Sequence, residues 1–127
     1  MTDFTVTDMH TSPPLNPALI YKLVSVAEWQ QAQESGQFHG SADDQRDGYI
    51  HLSNADQVAG TLFKYFSHCD ELLLLAIDPK SLGADLRYEV SRNGALFPHL
   101  YAALPVNKAR QLAFRKHALS EWRLTDA

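Results

Sequence analysis

The chain has 127 residues, of which 45% are hydrophobic and 20% are charged. That length and composition predict one folded domain with a real core, and they argue against global disorder. The net charge of −4 argues against a protein that binds duplex nucleic acid, because such binding depends on many lysine and arginine contacts to phosphate. The single cysteine, Cys69, excludes an intrachain disulfide and a zinc site built on cysteines.

The apolar segments of the chain are short. The longest unbroken one, Leu72–Ile77, is far too short to span a bilayer. The first residues also lack the charged and then apolar pattern of a signal peptide. We therefore expect a cytoplasmic protein without a membrane partner.

Residues 1–18 differ in pattern from the rest of the chain. They are polar, rich in threonine and proline, and show neither a strand period nor a helical one. This composition predicts a flexible N-terminal arm, which would precede a single α+β domain over residues 19–127.

The domain begins with a predicted strand over residues 19–24. Ser25 and Glu28 then form the pattern of a capping box, which predicts a helix from Val26 to about Ser35. Gly36 is the expected end of this helix. Residues 37–48, rich in aspartate and glycine, predict a polar loop, and loops of that length are often functional.

The remaining elements are a second strand and helix followed mostly by strands. Residues 49–52 predict a strand, and apolar residues at helical spacing predict a helix from about Asn54 to about His68. Further strands are predicted over 72–78, 86–90, 95–102 and 104–106, with a turn at Asn93-Gly94. The pattern of residues 107–127 leaves strand and helix open. Two early helices followed by strands predict an α+β fold.

Polar side chains recur at every second residue in three of the predicted strands. Successive side chains of a strand point to opposite faces, so the polar residues of each run share one face. We expect these faces to line one cleft. The runs are Tyr49-His51-Ser53, Arg87-Glu89-Ser91 and His99-Tyr101.

His51 and Ser53 are candidates for binding a nucleotide. An imidazole on a strand can orient a ribose hydroxyl or a phosphate oxygen, and Ser53 lies at a predicted helix N-terminus, which attracts anions. The alternative for His51 is a half-buried ring satisfied by a nearby backbone group.

Glu89 and Arg92 are the next candidates. A carboxylate near an imidazole can hold a ribose hydroxyl or stabilise a cationic sugar, and an arginine can bind phosphate. The alternative for Glu89 is an ion pair with Arg87 or Arg92 at the sheet edge. His99 follows a rigid Phe97-Pro98 step and shares a face with Tyr101, and the alternative for these two is a hydrogen-bonded pair on the rim.

Other kinds of site lack a signal in the sequence. His39, His51 and His99 match no compact metal motif, so we predict no metal site and keep a histidine-based metalloenzyme only as a third alternative for the function. There is no nucleophile elbow of the Gly-x-Ser-x-Gly type and no glycine-rich phosphate loop.

Several short motifs of the chain resemble the bacterial domain-of-unknown-function 952 family, over about Leu19 to Val106. That family carries no established activity that could be transferred. The motifs are Ile20-Tyr21-Lys22, Trp29-x-x-Ala32, Gly40-Ser41, Asp47-Gly48-Tyr49-Ile50-His51-Leu52-Ser53, Leu75-x-Ile77-Asp78, Glu89-x-Ser91-Arg92 and Phe97-Pro98-His99-Leu100-Tyr101.

A more distant resemblance connects the chain to the RNA 2′-phosphotransferases and the ADP-ribosyltransferase fold. His51-Leu52 is similar to their His-x-His-Leu block, with Tyr49 in place of the first histidine. Ser91, Asn93 and Gly94 match their Ser-x-Asn-Gly. This resemblance implies a split, mostly antiparallel sheet around a cleft shaped for NAD.

The same resemblance implies roles for individual residues. Tyr21 and His51 would hold the adenosine-side ribose, Ser53 and Arg92 a phosphate, and Glu89 the reacting ribose. Tyr49 and Tyr101 would stack on a ring. The implied activity is ADP-ribosyl or phospho transfer, with NAD as a substrate. The alternative is a non-catalytic module that binds a small ligand or a protein in the same cleft, so the sequence leaves open whether the protein is an enzyme and what its oligomeric state is.

Overall fold

The computed structural model describes residues 4–6, 15–118 and 121–126. It is an α+β fold in which every strand pairing among these residues is antiparallel. The strands are β1 (Phe4–Val6), β2 (Ile20–Val24), β3 (Gln37–Phe38), β4 (Ile50–His51), β5 (Ser53–Asn54), β6 (Glu71–Ile77), β7 (Leu86–Val90), β8 (Leu96–Leu100), β9 (Leu104–Pro105), β10 (Ala109–Ala118) and β11 (Glu121–Asp126). The helices are α1 (Val26–Ser35), α2 (Ala42–Asp47) and α3 (Val58–Tyr65).

The strands form one large sheet and two small ones. The large sheet has the order β1-β11-β10-β6-β2-β5, and the small ones have the orders β4-β8-β7 and β3-β9. Residues 50–54 connect two of them, since β4 lies in the three-stranded sheet and β5 at the edge of the large one. The chain crosses between these sheets at Leu52, and this crossing determines where the candidate site lies.

The central strand of the large sheet, β6, is buried on both faces. Strand β6 contributes Leu74 to one apolar cluster and Leu75 to the other, as expected for an unbroken apolar strand. Helix α3 covers the first face through Leu62. Helix α1 covers the second face through Trp29, together with Leu100 of the three-stranded sheet.

Helix α1 forms as its sequence predicts. Ser25 accepts a hydrogen bond from the Glu28 backbone, and the Glu28 side chain accepts one from the Ser25 backbone. The helix ends at Gly36, whose φ of 87° lies in the left-handed region that glycine adopts readily. The predicted bounds of this helix are confirmed.

Other predictions need correction. The polar loop over 37–48 contains strand β3 and helix α2, so the described residues of the first half form three helices rather than two. The strand expected at 49–52 is divided between two sheets, and the helix expected to reach His68 ends at Tyr65 after a 3₁₀ turn over Ala55–Gln57. The ambiguous tail forms strands β10 and β11.

The predicted N-terminal arm lies mostly outside the described residues. Of its first fourteen residues only Phe4–Val6 is described, as strand β1 paired with β11. No helix in the described part of the chain is long and apolar enough to cross a membrane.

Candidate functional site

A pocket of about 210 Å³ opens beside the crossing at Leu52. Its walls come from β2, α2, α3, the strands on either side of Leu52, β8 and the turn before β8. The polar side chains of the lining form two networks. One is centred on Asp44 and the other on Arg92.

Helix α2 brings Asp44 into the pocket wall. Ser41 accepts a hydrogen bond from the Asp44 backbone, and Asp44 Oδ2 accepts one from the Ser41 backbone at 2.8 Å, which makes a capping box with aspartate at its third position. Gly40 has a φ of 102°, and a Cβ placed there would lie 2.7 Å from Asp44 Cβ. The close approach of the loop to the helix therefore requires glycine.

Asp44 is 2% exposed and accepts hydrogen bonds from three further groups. Lys22 Nζ lies 2.9 Å from Oδ2, while Nδ1 and the backbone nitrogen of His51 lie 2.5 and 3.1 Å from Oδ1. Burial alone would raise the pKa of Asp44. The hydrogen bond from His51, the charge of Lys22 and the backbone N–H groups outweigh burial and hold that pKa well below its usual range.

His51 lies between two carboxylates. Its Nδ1 contacts Asp44, and its Nε2 lies 3.1 Å from Oδ2 of Asp47. These two contacts match the two N–H donors of a protonated imidazole. Asp47 also accepts a hydrogen bond from Arg46, which lowers the pKa of the Asp47 carboxyl. Because the side chain of Asp47 is 32% exposed, its carboxylate remains accessible to a ligand.

The second network joins a serine, a threonine and an arginine. Ser53 Oγ lies 3.1 Å from Thr61 Oγ1, and Arg92 Nη2 donates to the same threonine oxygen at 3.2 Å. The guanidinium of Arg92 lies 4.9 Å from the ring centre of Phe97 and 5.9 Å from that of Tyr65. Contacts with aromatic faces hold a guanidinium without neutralising its charge.

Arg92 differs from the other two cations of the lining. Lys22 is paired with Asp44, and Arg46 with Asp43 and Asp47. Among the described residues, Arg92 contacts a hydroxyl and aromatic rings but no carboxylate. Its charge is therefore available to an anion in the pocket.

An aromatic cluster packs behind the pocket wall. The rings of Tyr49 and His99 stack with their centres 4.1 Å apart, and His51 and Tyr101 lie 4.6 and 5.2 Å from Tyr49. Oε1 of Glu89 lies 2.8 Å from His99 Nδ1 and accepts a hydrogen bond from the Tyr101 hydroxyl, also at 2.8 Å.

These contacts shift the pKa values of the cluster. The hydrogen bond from His99, followed by that from Tyr101, lowers the pKa of Glu89. The bond to Glu89 raises the pKa of Tyr101, since ionisation of the phenol would remove the donated hydrogen. Burial, followed by the charges of nearby carboxylates, raises the pKa of Tyr49. The cluster therefore holds Glu89 ionised and both phenols protonated at neutral pH.

Comparison with known proteins assigns the chain to a family. The family described as "Protein of unknown function (DUF952)" matches residues 23–112. The chain belongs to the DUF952 family. It is 46% identical to protein CC0527 from Caulobacter crescentus, whose crystal structure aligns with a TM-score of 0.77 over 80% of this chain and 90% of that one. The solution NMR structure of the same protein aligns with a TM-score of 0.72 over 80% and 88%. No curated protein matches the sequence.

The structure of this DUF952 protein brings most of the predicted site residues together. The four that line the pocket are His51, Ser53, Arg92 and His99. The three that pack behind its wall are Tyr49, Glu89 and Tyr101. Glu89, predicted to touch a substrate directly, is separated from the pocket by His99.

Tyr21 requires a correction. It is 2% exposed and belongs to the apolar cluster under α3, and its hydroxyl accepts a hydrogen bond from the backbone N–H of Asn16 at 3.0 Å. Its neighbour on β2, Lys22, points to the opposite face and lines the pocket. The residue of β2 that lines the pocket is therefore Lys22, one position after the predicted Tyr21, and Tyr21 does not join the site.

Sequence reasoning missed Lys22, Asp44, Asp47 and Thr61 as site residues of the DUF952 chain. Two of them carried a signal. Lys22 is the only charged residue in a strand that is otherwise apolar or aromatic. Ser41-x-x-Asp44 has the spacing of a capping box. Within the described residues, no group of three or more histidine, cysteine, aspartate or glutamate side chains is arranged to hold a metal ion.

Proposed function

We propose that the pocket binds a nucleotide of the NAD or ADP-ribose type, with a phosphate against Arg92 and a ribose near Asp47. The observation that carries this proposal is the guanidinium of Arg92, which lines the pocket without a carboxylate partner among the described residues. A cation held by aromatic faces and one hydroxyl retains the charge that phosphate recognition needs.

The surroundings of Arg92 support a phosphate. Thr61 contacts the guanidinium, and its hydroxyl shares one hydrogen bond with that of Ser53, so one of these two hydroxyls can donate to a phosphate oxygen. Gly60 on α3 leaves room for the arginine, since a Cβ there would lie 3.3 Å from Arg92 Nη2. These groups form a small polar surface that combines one positive charge with one hydroxyl hydrogen that is free to donate.

The network of Asp44 supports a ribose. Ribose hydroxyls donate to carboxylates, and the accessible carboxylate of Asp47 is one such acceptor. Asp44 itself is saturated with hydrogen bonds from the protein and fixes the orientation of His51. A ligand with a diol at one end and a phosphate at the other would therefore match both networks of the lining.

The proposal extends to an ADP-ribosyltransferase-like fold and to transfer of an ADP-ribosyl or phosphoryl group. This part is supported by the similarity of the segments around His51 and Ser91-Arg92-Asn93-Gly94 to those enzymes. The cluster of Glu89, His99 and Tyr101, of which His99 lines the pocket, contains the acid–base groups that such a transfer uses.

Calorimetric titration with NAD, ADP-ribose and AMP tests the proposal. We expect saturable binding that weakens by about 10- to 100-fold in Arg92→Gln, because hydrogen bonds to charged groups contribute about 1.5–3 kcal/mol. Arg115→Gln is the matched control. Arg115 lies on β10 outside the pocket and pairs with Glu71, so its loss should leave binding unchanged. Binding that is absent, or equally affected by both variants, would refute the proposal.

A non-catalytic binding module is the second candidate. One observation favours it, namely that the Glu89 carboxylate is engaged by His99 and Tyr101 and does not reach the pocket wall. Release of nicotinamide from NAD separates the two candidates. A transferase releases it, whereas a module binds the same ligand and leaves it intact.

A further inference from the structure

We propose that His99, rather than Glu89, is the group that meets the bound nucleotide, with Nε2 as a proton acceptor and Glu89 as its positioning residue. The inference rests on the proposed function, because it assigns the reactive side of the same pocket. It changes the chemical role of two residues. Glu89 positions the imidazole of His99, and the imidazole contacts the ligand.

The burial and contacts of His99 carry this inference. The residue is 3% exposed and lines the pocket, whereas Glu89 does not. Nδ1 lies 2.8 Å from the Glu89 carboxylate. Among the described residues, the hydrogen bond of the His99 ring is made by Nδ1, and none is found for Nε2. The fully buried side-chain nitrogens without a partner in this part of the chain are those of Trp29 and Trp122, so Nε2 of His99 keeps some exposure at the pocket, where a ligand can contact it.

The ring of His99 is also held in place. The ring of Tyr49 stacks on that of His99 with the ring centres 4.1 Å apart, and the ring of His51 lies at 72° to it with its centre 5.6 Å away. The neighbouring residue, Pro98, restricts the backbone of β8 before His99. A ring that is fixed by stacking and by a carboxylate presents the same nitrogen to every ligand.

The contact with Glu89 determines the tautomer. A carboxylate can only accept, so Nδ1 must carry the hydrogen. In a neutral ring the other nitrogen, Nε2, then carries the lone pair. The charged and titratable groups next to this pair are Tyr101, Tyr49, Arg87 and His51. Tyr101 donates to Glu89, Tyr49 stacks on His99, and Arg87 lies opposite His99 in the strand register.

With NAD in the pocket and water as the acceptor, the step is balanced. The water oxygen bonds to C1′ of the nicotinamide riboside while the bond from C1′ to the ring nitrogen breaks. Nicotinamide leaves as a neutral molecule with that electron pair. The proton of the water moves to His99 Nε2. An alcohol in place of water gives the corresponding transfer.

Long-range ¹H–¹⁵N spectra of the imidazole rings, recorded at about pH 8, test the tautomer without a ligand. The signals of His99 are assigned by their loss in His99→Gln. We expect the hydrogen on Nδ1 in the wild-type protein. We expect it to move to Nε2 in Glu89→Ala, because the acceptor for Nδ1 is then absent. Tyr101→Phe is the matched control. It removes only the second contact of Glu89, so Nδ1 should keep its hydrogen.

Addition of ADP-ribose then tests the contact with the ligand. We expect the Nε2 signal of His99 to shift in the wild-type protein. A wild-type ring that is protonated on Nε2 at pH 8, or a tautomer that does not change in Glu89→Ala, would overturn the inference. So would binding that leaves the Nε2 signal where it was. Absence of all binding would instead refute the proposed function, and the tautomer result would still stand.

Discussion

The most informative single substitution is Asp44→Asn, because it removes one charge and keeps the shape of the side chain. In the wild-type protein this carboxylate accepts from Lys22, from the Ser41 backbone and twice from His51. An amide can accept at one of its two positions only. The other position then places an NH₂ group against a donor, and Lys22 loses its counter-charge.

The burial of the ion pair between Asp44 and Lys22 determines how much the substitution lowers the free energy of unfolding. The side chains of Asp44 and Lys22 are 2% and 10% exposed, so solvent screens the pair weakly. Breaking a buried pair by removing one partner costs about 3–5 kcal/mol. For a domain of this size the entropy of unfolding is about 0.27 kcal/mol/K at the melting temperature, so the expected decrease is about 10–20 °C.

Urea unfolding followed by circular dichroism gives the free energy of unfolding. The slope of the transition shows whether the wild-type protein and the variant expose the same surface on unfolding. Asp43→Asn is the control, since Asp43 lies on the same helix but is 67% exposed and pairs with Arg46 at the surface. We expect a change below about 1 kcal/mol there. Equal effects of the two variants would refute the reasoning. Adding Lys22→Met to Asp44→Asn should recover part of the loss, because the unpaired charge is then gone.

Three further predictions follow from the structure. The free-energy difference between the wild-type protein and Asp44→Asn should shrink as the pH falls from about 6 to about 3, because a depressed pKa contributes stability above the unfolded value and that contribution is lost as the carboxylate takes up a proton. Urea titrations at several pH values measure this, and a constant difference would contradict it. Gly48→Ala should cost about 1–2 kcal/mol for its φ of 87° alone, whereas Gly40→Ala should cost more, because its Cβ would also meet Asp44. Equal melting temperatures of these two variants would argue against a close approach at Gly40. Leu74→Ala, at a position with no exposure in the central strand β6, should cost about 2–5 kcal/mol, whereas Leu96→Ala, at a position 54% exposed, should change the free energy by less than about 0.5 kcal/mol.

Elements with strong local signals could be predicted from the sequence. Helix α1 has a capping box at one end and a glycine at the other, and the structure has the predicted bounds. Helix α2 was missed because it is short and has no apolar period. Its stability comes from Asp44, whose contacts with Lys22 and His51 are made across the fold and cannot be read from adjacent residues.

The pocket was harder to predict than the fold. Alternation predicted one face for Tyr49, His51 and Ser53. The structure brings the rings of Tyr49 and His51 together with that of His99, whereas Ser53 lies in another sheet. The same reasoning failed for Tyr21, because alternation gives the two sets of side chains but not which set faces the site. That choice depends on which sheet face α3 covers, and it is a property of the tertiary packing.

The division of residues 50–54 between two sheets explains how the two networks come to share one pocket. His51 belongs to β4, and its register with His99 connects it to Glu89. Ser53 belongs to β5, and there it meets Thr61 of α3. Leu52 is buried between them and anchors the crossing. An uninterrupted strand would leave both side chains in one sheet, whereas the crossing gives each a different set of neighbours. A short segment can in this way place a histidine from one sheet and a serine from another on the wall of a single pocket.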